Sequence, residues 1–177
     1  MSSIIELPPT THTIDQHSPL MYSWNIYYHL PAENTWKILS SYKEICTNIK
    51  TIGQMISINE TMTDKILLNY MLFVMKTGIT PMWEDPKNSN GGSFCFKVLN
   101  KHVYGVWKTL FYLLCGGTLC IDAKHLSLIT GITVSAKKNF CIIKIWMENC
   151  SIQTPNIFVT IPNLPKQGCI FKKHEFD

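Results

Sequence analysis

One stretch of the chain decides how the rest is interpreted: Gly78-Ile79-Thr80-Pro81-Met82-Trp83-Glu84-Asp85, followed by Pro86-Lys87-Asn88-Ser89-Asn90-Gly91-Gly92. It lies between two apolar runs, and its Trp83-Glu84 pair can contact one nucleobase in two ways. The indole stacks on the ring, and the carboxylate accepts hydrogen bonds from donors on the base edge. Guanine offers such donors at N1 and at its 2-amino group. A half-buried core tryptophan beside a solvated loop charge is the alternative that the dipeptide alone leaves open.

Length and composition indicate one globular domain. The chain has 177 residues, of which 46% are hydrophobic and 16% charged, enough to build a sizeable core. We expect a flexible arm over residues 1–18, which are polar and turn-rich, and a single domain over residues 19–177. No apolar run approaches the ~20 residues of a membrane span, and the first residues lack the pattern of a secretory signal. The sequence therefore predicts a cytoplasmic protein that does not enter a membrane.

The charged residues and cysteines restrict the possible ligands. The net charge is +4, and every basic residue is lysine, so a phosphate group would be held by point charges without the bidentate fork of arginine. The absence of arginine, together with 22 isoleucines, indicates an AT-rich coding genome such as that of a protist or a large DNA virus. The seven cysteines are scattered without a C-x-x-C pair, which argues against a disulfide framework and against a zinc site.

The apolar patterns predict an α+β fold. Alternating or wholly apolar segments predict six strands and a short seventh: residues 21–30, a strand beginning at Trp36, then 70–75, 93–99, 128–134 paired with 140–147, and finally 156–161. A first helix is expected to begin after Thr47 or Asn48 as its N-cap, and a clearer one spans residues 101–115. Strands in succession with helices inserted between hairpins favour an antiparallel sheet with helices on one face.

The central motif, with its neighbours, resembles the eukaryotic translation initiation factor 4E family, the mRNA cap-binding proteins. The matching pieces are Pro81-Met82-Trp83-Glu84-Asp85, Lys87-Asn88 and Gly91-Gly92, with Pro19-Leu20 ahead of Trp24, Thr35-Trp36, Trp107 and Ile145-Trp146. The resemblance implies a curved antiparallel sheet with helices on its convex face. Three helices are expected in the family but two here, because only about ten residues separate Met147 from Asn156 where the third would lie.

The resemblance also implies a ligand and the residues that hold it. Trp36 and Trp83 would sandwich the 7-methylguanine base, Glu84 would bind its N1/N2 edge, and Trp146 would approach the methyl group. The base carries a positive charge, so the indoles would add a cation–π term to stacking. The phosphate chain would contact Lys137, at the family's arginine position, and Lys138 beside it. The family's lysine position falls on Ile142, so Lys144 would take the role of that lysine. The alternatives are core roles for Trp36 and Trp146 and a solvated hairpin for the lysines; Trp24 and Trp107 are assigned to the core.

The helical back surface departs from the family pattern. The family docks a tyrosine-and-leucine helical peptide of a scaffold protein there. The positions implied for this contact are Pro19, Ile49, Gly53, Lys108, Thr109 and Tyr112, where Gly53 replaces a central tryptophan and Lys108 and Thr109 replace a leucine and a glutamate. We therefore expect a partner with a different, bulkier anchor.

Taken with the resemblance, the sequence predicts a divergent, monomeric cap-binding protein. It would bind 7-methylguanosine-capped mRNA and a 4G-like scaffold or another back-surface protein, in the cytoplasm (of the host, if viral). No Gly-rich cofactor loop, carboxylate cluster or nucleophile–base pair indicates an enzyme, a cofactor or a metal. The alternative is an interaction protein that keeps the fold, uses its altered back surface and binds the mRNA cap weakly or not at all.

Overall fold

A computed structural model describes residues 14–175 of the chain. Most of the predicted arm, residues 1–13, lies outside the described residues, as do residues 176 and 177. The described part contains a seven-stranded antiparallel sheet in the order β2-β1-β3-β5-β6-β4-β7. Its strands are β1 (Pro19–His29), β2 (Lys43–Thr51), β3 (Met71–Lys76), β4 (Gly92–Leu99), β5 (Ile129–Ala136), β6 (Phe140–Met147) and β7 (Ile170–Lys173).

Three α-helices lie between the strands: α1 (Ile52–Thr61), α2 (Asp64–Asn69) and α3 (Asn100–Cys115). Short 3-10 turns occupy Leu39–Ser41, Ala123–Leu128 and Pro155–Ile157. Helix α3 is the longest, and its buried residues recur every three or four positions: Val103, Val106, Trp107, Leu110, Phe111, Leu114 and Cys115. This apolar stripe packs against the sheet, as the sequence predicted. The α+β fold is therefore confirmed, with α2 as an additional short helix.

The two faces of the sheet carry different clusters because side chains alternate along a strand. Trp24, Ile26, Phe94 and Ile145 point toward the helices and join the large core with Trp107. Their neighbours on the other face form a smaller cluster of Tyr27, Tyr42, Phe73, Met75, Ile79 and Trp146. We call this second face the cleft face. Its cluster contains no residue of the three helices. The core assignment of Trp24 and Trp107 is correct, at 1% and 0% exposure.

Two predicted elements in the first third of the chain are wrong. Trp36 lies in an irregular loop that precedes Leu39–Ser41, and strand β2 begins only at Lys43. Helix α1 does not begin near Thr47, because residues 43–51 extend as β2 and Asn48 adopts a positive φ of 56° within it. The helix starts after Thr51, where the Thr51 hydroxyl accepts from the Gln54 N–H and the Gln54 side chain returns to the Thr51 N–H. This capping box is the local signal that sets the boundary.

The end of the chain also differs from the sequence prediction. Residues 156–161 do not form a strand; they contain the end of a 3-10 turn and single bridges from Phe158 to Cys120 and from Ile161 to Leu164. The last strand is β7, which pairs with β4 at the sheet edge. Only a 3-10 turn follows β6 before β7, so among the described residues no α-helix stands where the family's third helix is expected.

Candidate functional site

A cavity of about 850 Å³ opens on the cleft face. Its lining includes both tryptophans of the predicted sandwich, Trp36 and Trp83, together with Glu84 and Trp146. Six lysines share the lining, and Glu84 is the one carboxylate among the lining residues: Lys37, Lys97, Lys137, Lys144, Lys172 and Lys173. A cavity with that charge pattern attracts an anion. The structure thus brings together residues that are separated by more than a hundred positions in the chain.

Trp36 is held at one side of the cavity by its own loop. The Tyr42 hydroxyl donates to the Trp36 carbonyl over 2.9 Å, and the Ser41 hydroxyl lies 2.9 Å from the Thr35 carbonyl. One face of the indole stacks on the imidazole of His29, with centroids 3.9 Å apart and planes inclined by 18°. The indole remains 39% exposed. Trp36 is therefore a loop residue with one covered face, not a residue of a strand in the core.

Trp83 and Glu84 are presented by a loop that its own polar side chains stabilise. The Asp85 carboxylate accepts from the Thr80 N–H at 2.7 Å and from the Lys87 N–H at 2.9 Å. The fully buried Asn88 amide donates to the carbonyls of Thr80 and Met82. These bonds hold the loop on both sides of Trp83, which is 39% exposed. The acidic and amide residues of the motif thus shape the loop and leave Glu84 to face the cavity.

The two glycines that close the motif are required by close backbone approach. A Cβ on Gly91 would lie 1.9 Å from the Met147 carbonyl oxygen, and one on Gly92 would lie 2.6 Å from that of Lys172. Glycine is the residue that tolerates such contacts. The loop that carries Trp83 can therefore join β4 tightly between β6 and β7.

His174, just after β7, contacts three elements of the site. Its ring lies 5.3 Å from the indole of Trp83 at an interplanar angle of 11°, and 4.9 Å from that of Trp146. Nδ1 is 2.8 Å from the Asn88 carbonyl and Nε2 is 2.8 Å from the Ser93 hydroxyl. Since a carbonyl only accepts, Nδ1 carries the proton and Nε2 accepts from Ser93. Burial lowers the pKa of His174 from 6.5; the bond to Asn88 opposes this, and the charge of Lys144 lowers it further.

The floor of the cavity is aromatic. Trp146 is 2% exposed, packs edge-on against Phe73 at 6.3 Å, and its Nε1 has no hydrogen-bond partner among the described residues. Trp146 is thus both a core residue and a lining residue, so the two roles considered for it are compatible. Tyr42 lies beside Phe73 at 5.3 Å, and burial followed by the nearby charge of Glu84 raises the pKa of Tyr42 to about 12. Tyr42 therefore stays protonated and keeps the proton that it donates to the Trp36 carbonyl.

The predicted phosphate lysines are only partly brought together. Lys137 and Lys144 line the cavity, whereas Lys138 is exposed on the hairpin and lies outside the lining. Burial lowers the pKa of Lys144, the neighbouring Cys95 opposes this, and the charges of Lys172 and Lys137 lower it further. Within residues 14–175 none of these three lysines pairs with a carboxylate within 4.0 Å. Lys137 and Lys144, together with Lys172, thus form a cluster of positive charge at the cavity that has no carboxylate partner among the described residues.

The contributors to the site that were not recognised in the sequence include His29, His174, Lys172 and Lys173. Two of them lie on β7 and one follows it directly, and β7 itself was not predicted. The alternation of Ile170, Lys172 and His174, all of which line the cavity, is the signal that could have placed them on one strand face. His29 ends a predicted strand, and its contact with Trp36 depends on a loop that the sequence suggested to be a strand.

On the helical surface, two of the residues expected to contact a partner are not accessible to it. Ile49 is 1% exposed and belongs to the core, so its side chain is not available to a partner. Gly53 does not leave an open space, since a Cβ built there would lie 2.9 Å from Cβ of Gln16. The Gly53 N–H donates to the Gln16 carbonyl over 2.8 Å. The segment before β1 therefore covers this position.

Lys108, which stands where the family pattern has a leucine, has a carboxylate partner on α1. Its Nζ lies 2.9 Å from the Glu60 carboxylate, which also accepts from the Tyr112 hydroxyl over 2.8 Å. The Asn59 amide donates to the Lys108 carbonyl, so α1 and α3 are joined at two levels. Pro19 and Thr109 remain at the surface or partly so. Thr109 replaces the family's glutamate and has no carboxylate. Glu60 of α1 provides a carboxylate on the same helical surface.

Other classes of site are not found in the part of the chain that the structure describes. Across residues 14–175, no three His, Cys, Asp or Glu side chains come close enough to hold a metal ion. All seven cysteines lie in this range as free thiols. None of the helices described there is long and apolar enough to cross a membrane.

The matches to a family profile and to known proteins all indicate the same family. The profile described as "Eukaryotic initiation factor 4E" matches residues 19–174. An Acanthamoeba polyphaga mimivirus protein named a eukaryotic translation initiation factor 4E homolog is 38% identical over 108 residues, which cover 53% of this chain and 39% of that protein. Eukaryotic translation initiation factor 4E-2 of Schizosaccharomyces pombe is 28% identical over 139 residues, 75% of this chain and 55% of that protein. The chain thus spans about half or less of the length of these two relatives.

Solved structures share the fold. A schistosome eIF4E in complex with m7GpppG and 4E-BP superposes with a TM-score of 0.67 at 24% identity, covering 77% of this chain and 75% of that one. Caenorhabditis elegans eIF4E-3, solved with the 4E-binding protein Mextli and a cap analog, gives a TM-score of 0.65 at 22% identity over 76% of each chain. At these identities the likeness concerns the fold, and both structures carry the curved antiparallel sheet described above.

Proposed function

Because the chain belongs to the eukaryotic initiation factor 4E family, we propose that it binds the 7-methylguanosine cap of mRNA on its cleft face and acts in translation initiation or its control. In this proposal Trp36 and Trp83 stack on the two faces of the base. Glu84 accepts hydrogen bonds from the base edge, and Trp146 lies beside the methyl group. No step in this function breaks or forms a covalent bond, and we propose that the protein acts in the cytoplasm.

One observation supports the proposal above all others: both half-exposed indoles, Glu84 and six lysines line one cavity. A methylated guanine carries positive charge on the purine and negative charge on its phosphates. The indoles and Glu84 suit the first, and the lysines suit the second. Glu84 also gives the guanine edge an acceptor that neither adenine nor a pyrimidine would use in the same way.

The magnitudes explain why methylation would decide binding. Stacking of one base on an aromatic side chain contributes about 1–3 kcal/mol. A cation–π interaction adds about 0.5–2 kcal/mol, depending on how far the contact excludes water. An unmethylated guanine would gain only the first contribution from each indole. We therefore expect a clear preference for the methylated base.

The test is retention on immobilised 7-methyl-GTP. The full chain should be retained, released by free 7-methyl-GTP, and not released by the same concentration of GTP. A Trp36→Ala, Trp83→Ala double variant is the control for non-specific binding through the lysines. Equal release by GTP and 7-methyl-GTP would contradict the proposal, because it would leave a general anion site.

A second activity is proposed for the helical surface, which the known relatives suggest. Structures that share the fold include complexes with 4E-BP and with Mextli. Here the α1–α3 surface carries the Glu60, Lys108 and Tyr112 network and the covering Gln16. We propose that a scaffold or regulatory protein binds this surface with a contact pattern that differs from the family's. An interaction protein that no longer binds the mRNA cap would show this contact but no retention on 7-methyl-GTP.

A further inference from the structure

Both tryptophans of the proposed sandwich rest on a buried histidine. His29 is 0% exposed and stacks on Trp36 at 3.9 Å, while His174 is 7% exposed and lies nearly parallel to Trp83 at 5.3 Å. The two histidines come from distant parts of the sheet: His29 ends β1, the second strand in the order, and His174 directly follows the edge strand β7. A stacked ring covers one face of an aromatic side chain and limits its rotation. Each indole therefore has one face in a defined plane and one face available.

The face that remains available is the one toward the cavity. Trp36 lines the cavity and His29 does not, so the imidazole lies behind the indole as seen from the cavity. Trp83 lines the cavity too, but His174, which is 7% exposed, lines it as well, so His174 lies beside Trp83 at the cavity wall and is not hidden behind it. A planar base between the two indoles would therefore meet the face of Trp36 that His29 does not cover and the part of Trp83 that His174 leaves exposed.

Hydrogen bonds assign the tautomer of each imidazole. The Nδ1 atom of His29 lies 2.9 Å from the Leu30 carbonyl, which accepts its proton, and Nε2 is buried without a partner among the described residues. In His174, Nδ1 donates to the Asn88 carbonyl and Nε2 accepts from Ser93. Burial and the positive charge of Lys144 both lower the pKa of His174. Tyr42, 5.0 Å from His29, is a neutral neighbour.

We propose that His29 and His174 are positioning residues for base binding: His29 backs Trp36 and His174 packs against Trp83, and together they fix the planes of the two indoles between which the base stacks. The inference rests on the proposed function for the identity of the base. The indole faces that these contacts hold toward the base are electron-rich, and such faces favour a cationic ring over a neutral one. The histidines thereby contribute to the preference for the methylated base as well as to affinity.

The experiment compares two substitutions at each histidine that differ in one property. His29→Phe keeps a flat ring behind Trp36, whereas His29→Leu fills a similar volume without a ring. His174→Phe and His174→Leu form the second pair, and both lose the bonds to Asn88 and Ser93, so their difference isolates the ring. His17→Ala, at an exposed histidine outside the sheet, is the control. Affinities for 7-methyl-GTP and GTP are measured by tryptophan fluorescence, and folding by thermal unfolding.

We expect each Phe variant to bind 7-methyl-GTP more tightly than its Leu counterpart by about two- to tenfold, the effect of one aromatic pair. The ratio of 7-methyl-GTP to GTP affinity should fall in the Leu variants. Equal binding by the Phe and Leu variants of both pairs would overturn the inference, since the histidines would then only fill space. If the wild type does not bind 7-methyl-GTP, the proposed function fails instead. In that case the near-ultraviolet circular dichroism spectrum of the ligand-free protein decides the inference. If the histidines stack on the indoles, the wild-type spectrum is retained in the Phe variants and altered in the Leu variants. Identical spectra of the Phe and Leu variants would overturn the inference.

Discussion

At the scale of single residues, the proposed ligand depends on two indoles that contribute little to the core. Trp36 and Trp83 are each 39% exposed, whereas Trp24, Trp107 and Trp146 are almost completely buried. Removing a side chain that is 39% exposed and belongs to neither core cluster leaves no large buried cavity. The two exposed tryptophans can therefore be tested by truncation without loss of the fold.

Trp36→Ala and Trp83→Ala should each weaken binding of 7-methyl-GTP by about 1–3 kcal/mol, the contribution of one stack. The measurement is titration with 7-methyl-GTP by calorimetry, with thermal unfolding as the check on folding. Leu39→Ala, at an exposed position in the loop of Trp36 (50% exposed), is the matched control and should bind like the wild type. Two folded alanine variants with unchanged affinity would refute the sandwich.

The protonation of His174 should make stability depend on pH. Its pKa in the folded protein is lowered from 6.5, chiefly by burial, while in the unfolded chain it stays near that value. As pH falls through 6.5 the unfolded state takes up a proton before the folded state does, so stability decreases until the folded value is passed. Denaturant unfolding from neutral pH to about pH 5 should show this loss, and a smaller one in His174→Phe. Parallel pH profiles of the two proteins would mean that other groups cause the change.

The residue roles could be predicted to different depths. Trp83 and Glu84 stand in a motif with local spacing, so their shared loop was recognisable from the sequence. The partners of these residues were not, because His174 lies about ninety positions away and reaches Trp83 only through a sheet pairing between β4 and β7. The functions of Asp85 and Asn88 as loop-stabilising residues likewise follow from hydrogen bonds that no spacing rule specifies.

At the scale of elements, local chemistry sets the start of α1. The reciprocal bonds of Thr51 and Gln54 satisfy N–H groups that a helix start otherwise leaves without partners. The sequence analysis placed this helix four residues too early, because Ile49, Ile52 and Ile56 have helical spacing. Ile49 is instead a buried residue of strand β2, and the pairing of β2 with β1 determines its extended conformation.

Thr51→Ala should destabilise the protein by about 0.5–2 kcal/mol, the cost of losing a helix N-cap. Ser57→Ala, at an exposed position inside the same helix, is the control and should be neutral or slightly stabilising, since alanine is the better helix former. Urea unfolding of the two variants and the wild type provides the comparison. An effect of Thr51→Ala no larger than that of Ser57→Ala would mean that the capping box does not stabilise α1.

Strands β6 and β7 should together hold the phosphate chain. Lys144 on β6 and Lys172 on β7 line the cavity without a carboxylate partner among the described residues. Affinity should therefore rise from 7-methyl-GMP to 7-methyl-GTP and fall with added salt, because these are exposed or partly exposed point charges. Lys144→Ala and Lys172→Ala should reduce that rise, whereas Lys101→Ala on α3, which lies outside the cavity lining, should not. Equal affinity for 7-methyl-GMP and 7-methyl-GTP at low salt would show that these lysines are solvated surface charges that do not bind the phosphate chain.

At the scale of the whole molecule, the sheet separates two surfaces with different functions. Helices cover one face and share its core, while the other face leaves Phe73, Trp146 and the lysines around an open cavity. The order of the predicted elements and the family resemblance predicted this separation. What the sequence could not supply was the covering of Gly53, because Gln16 belongs to a turn-rich segment with no periodic pattern of its own.

A partner that uses the family's tyrosine–leucine helical peptide should bind the helical surface weakly. The large apolar side chain that would pack on the peptide's leucine is replaced by Gly53, and burying such a leucine is worth roughly 1.5–3 kcal/mol. The space over Gly53 is occupied by Gln16, whose carbonyl accepts the Gly53 N–H, so a bulky anchor from the partner would first have to displace this segment. This differs from the expectation, drawn from the sequence, that the space is free for an anchor. Lys108 and Tyr112 are also already engaged with Glu60.

Titration of a consensus tyrosine–leucine peptide into the wild type and into Gly53→Trp tests this prediction. We expect weak binding to both, because a side chain at position 53 collides with Gln16 and must move it before it can contact the peptide. Lys108→Leu, which restores apolar surface and releases Glu60, should bind more tightly than the wild type. Thr61→Ala, at an exposed position on the same helix as Glu60, is the control and should not change the affinity. Sub-micromolar binding to the wild type would show that the covered glycine does not block the surface, and that the peptide displaces residues 15–18 at little cost.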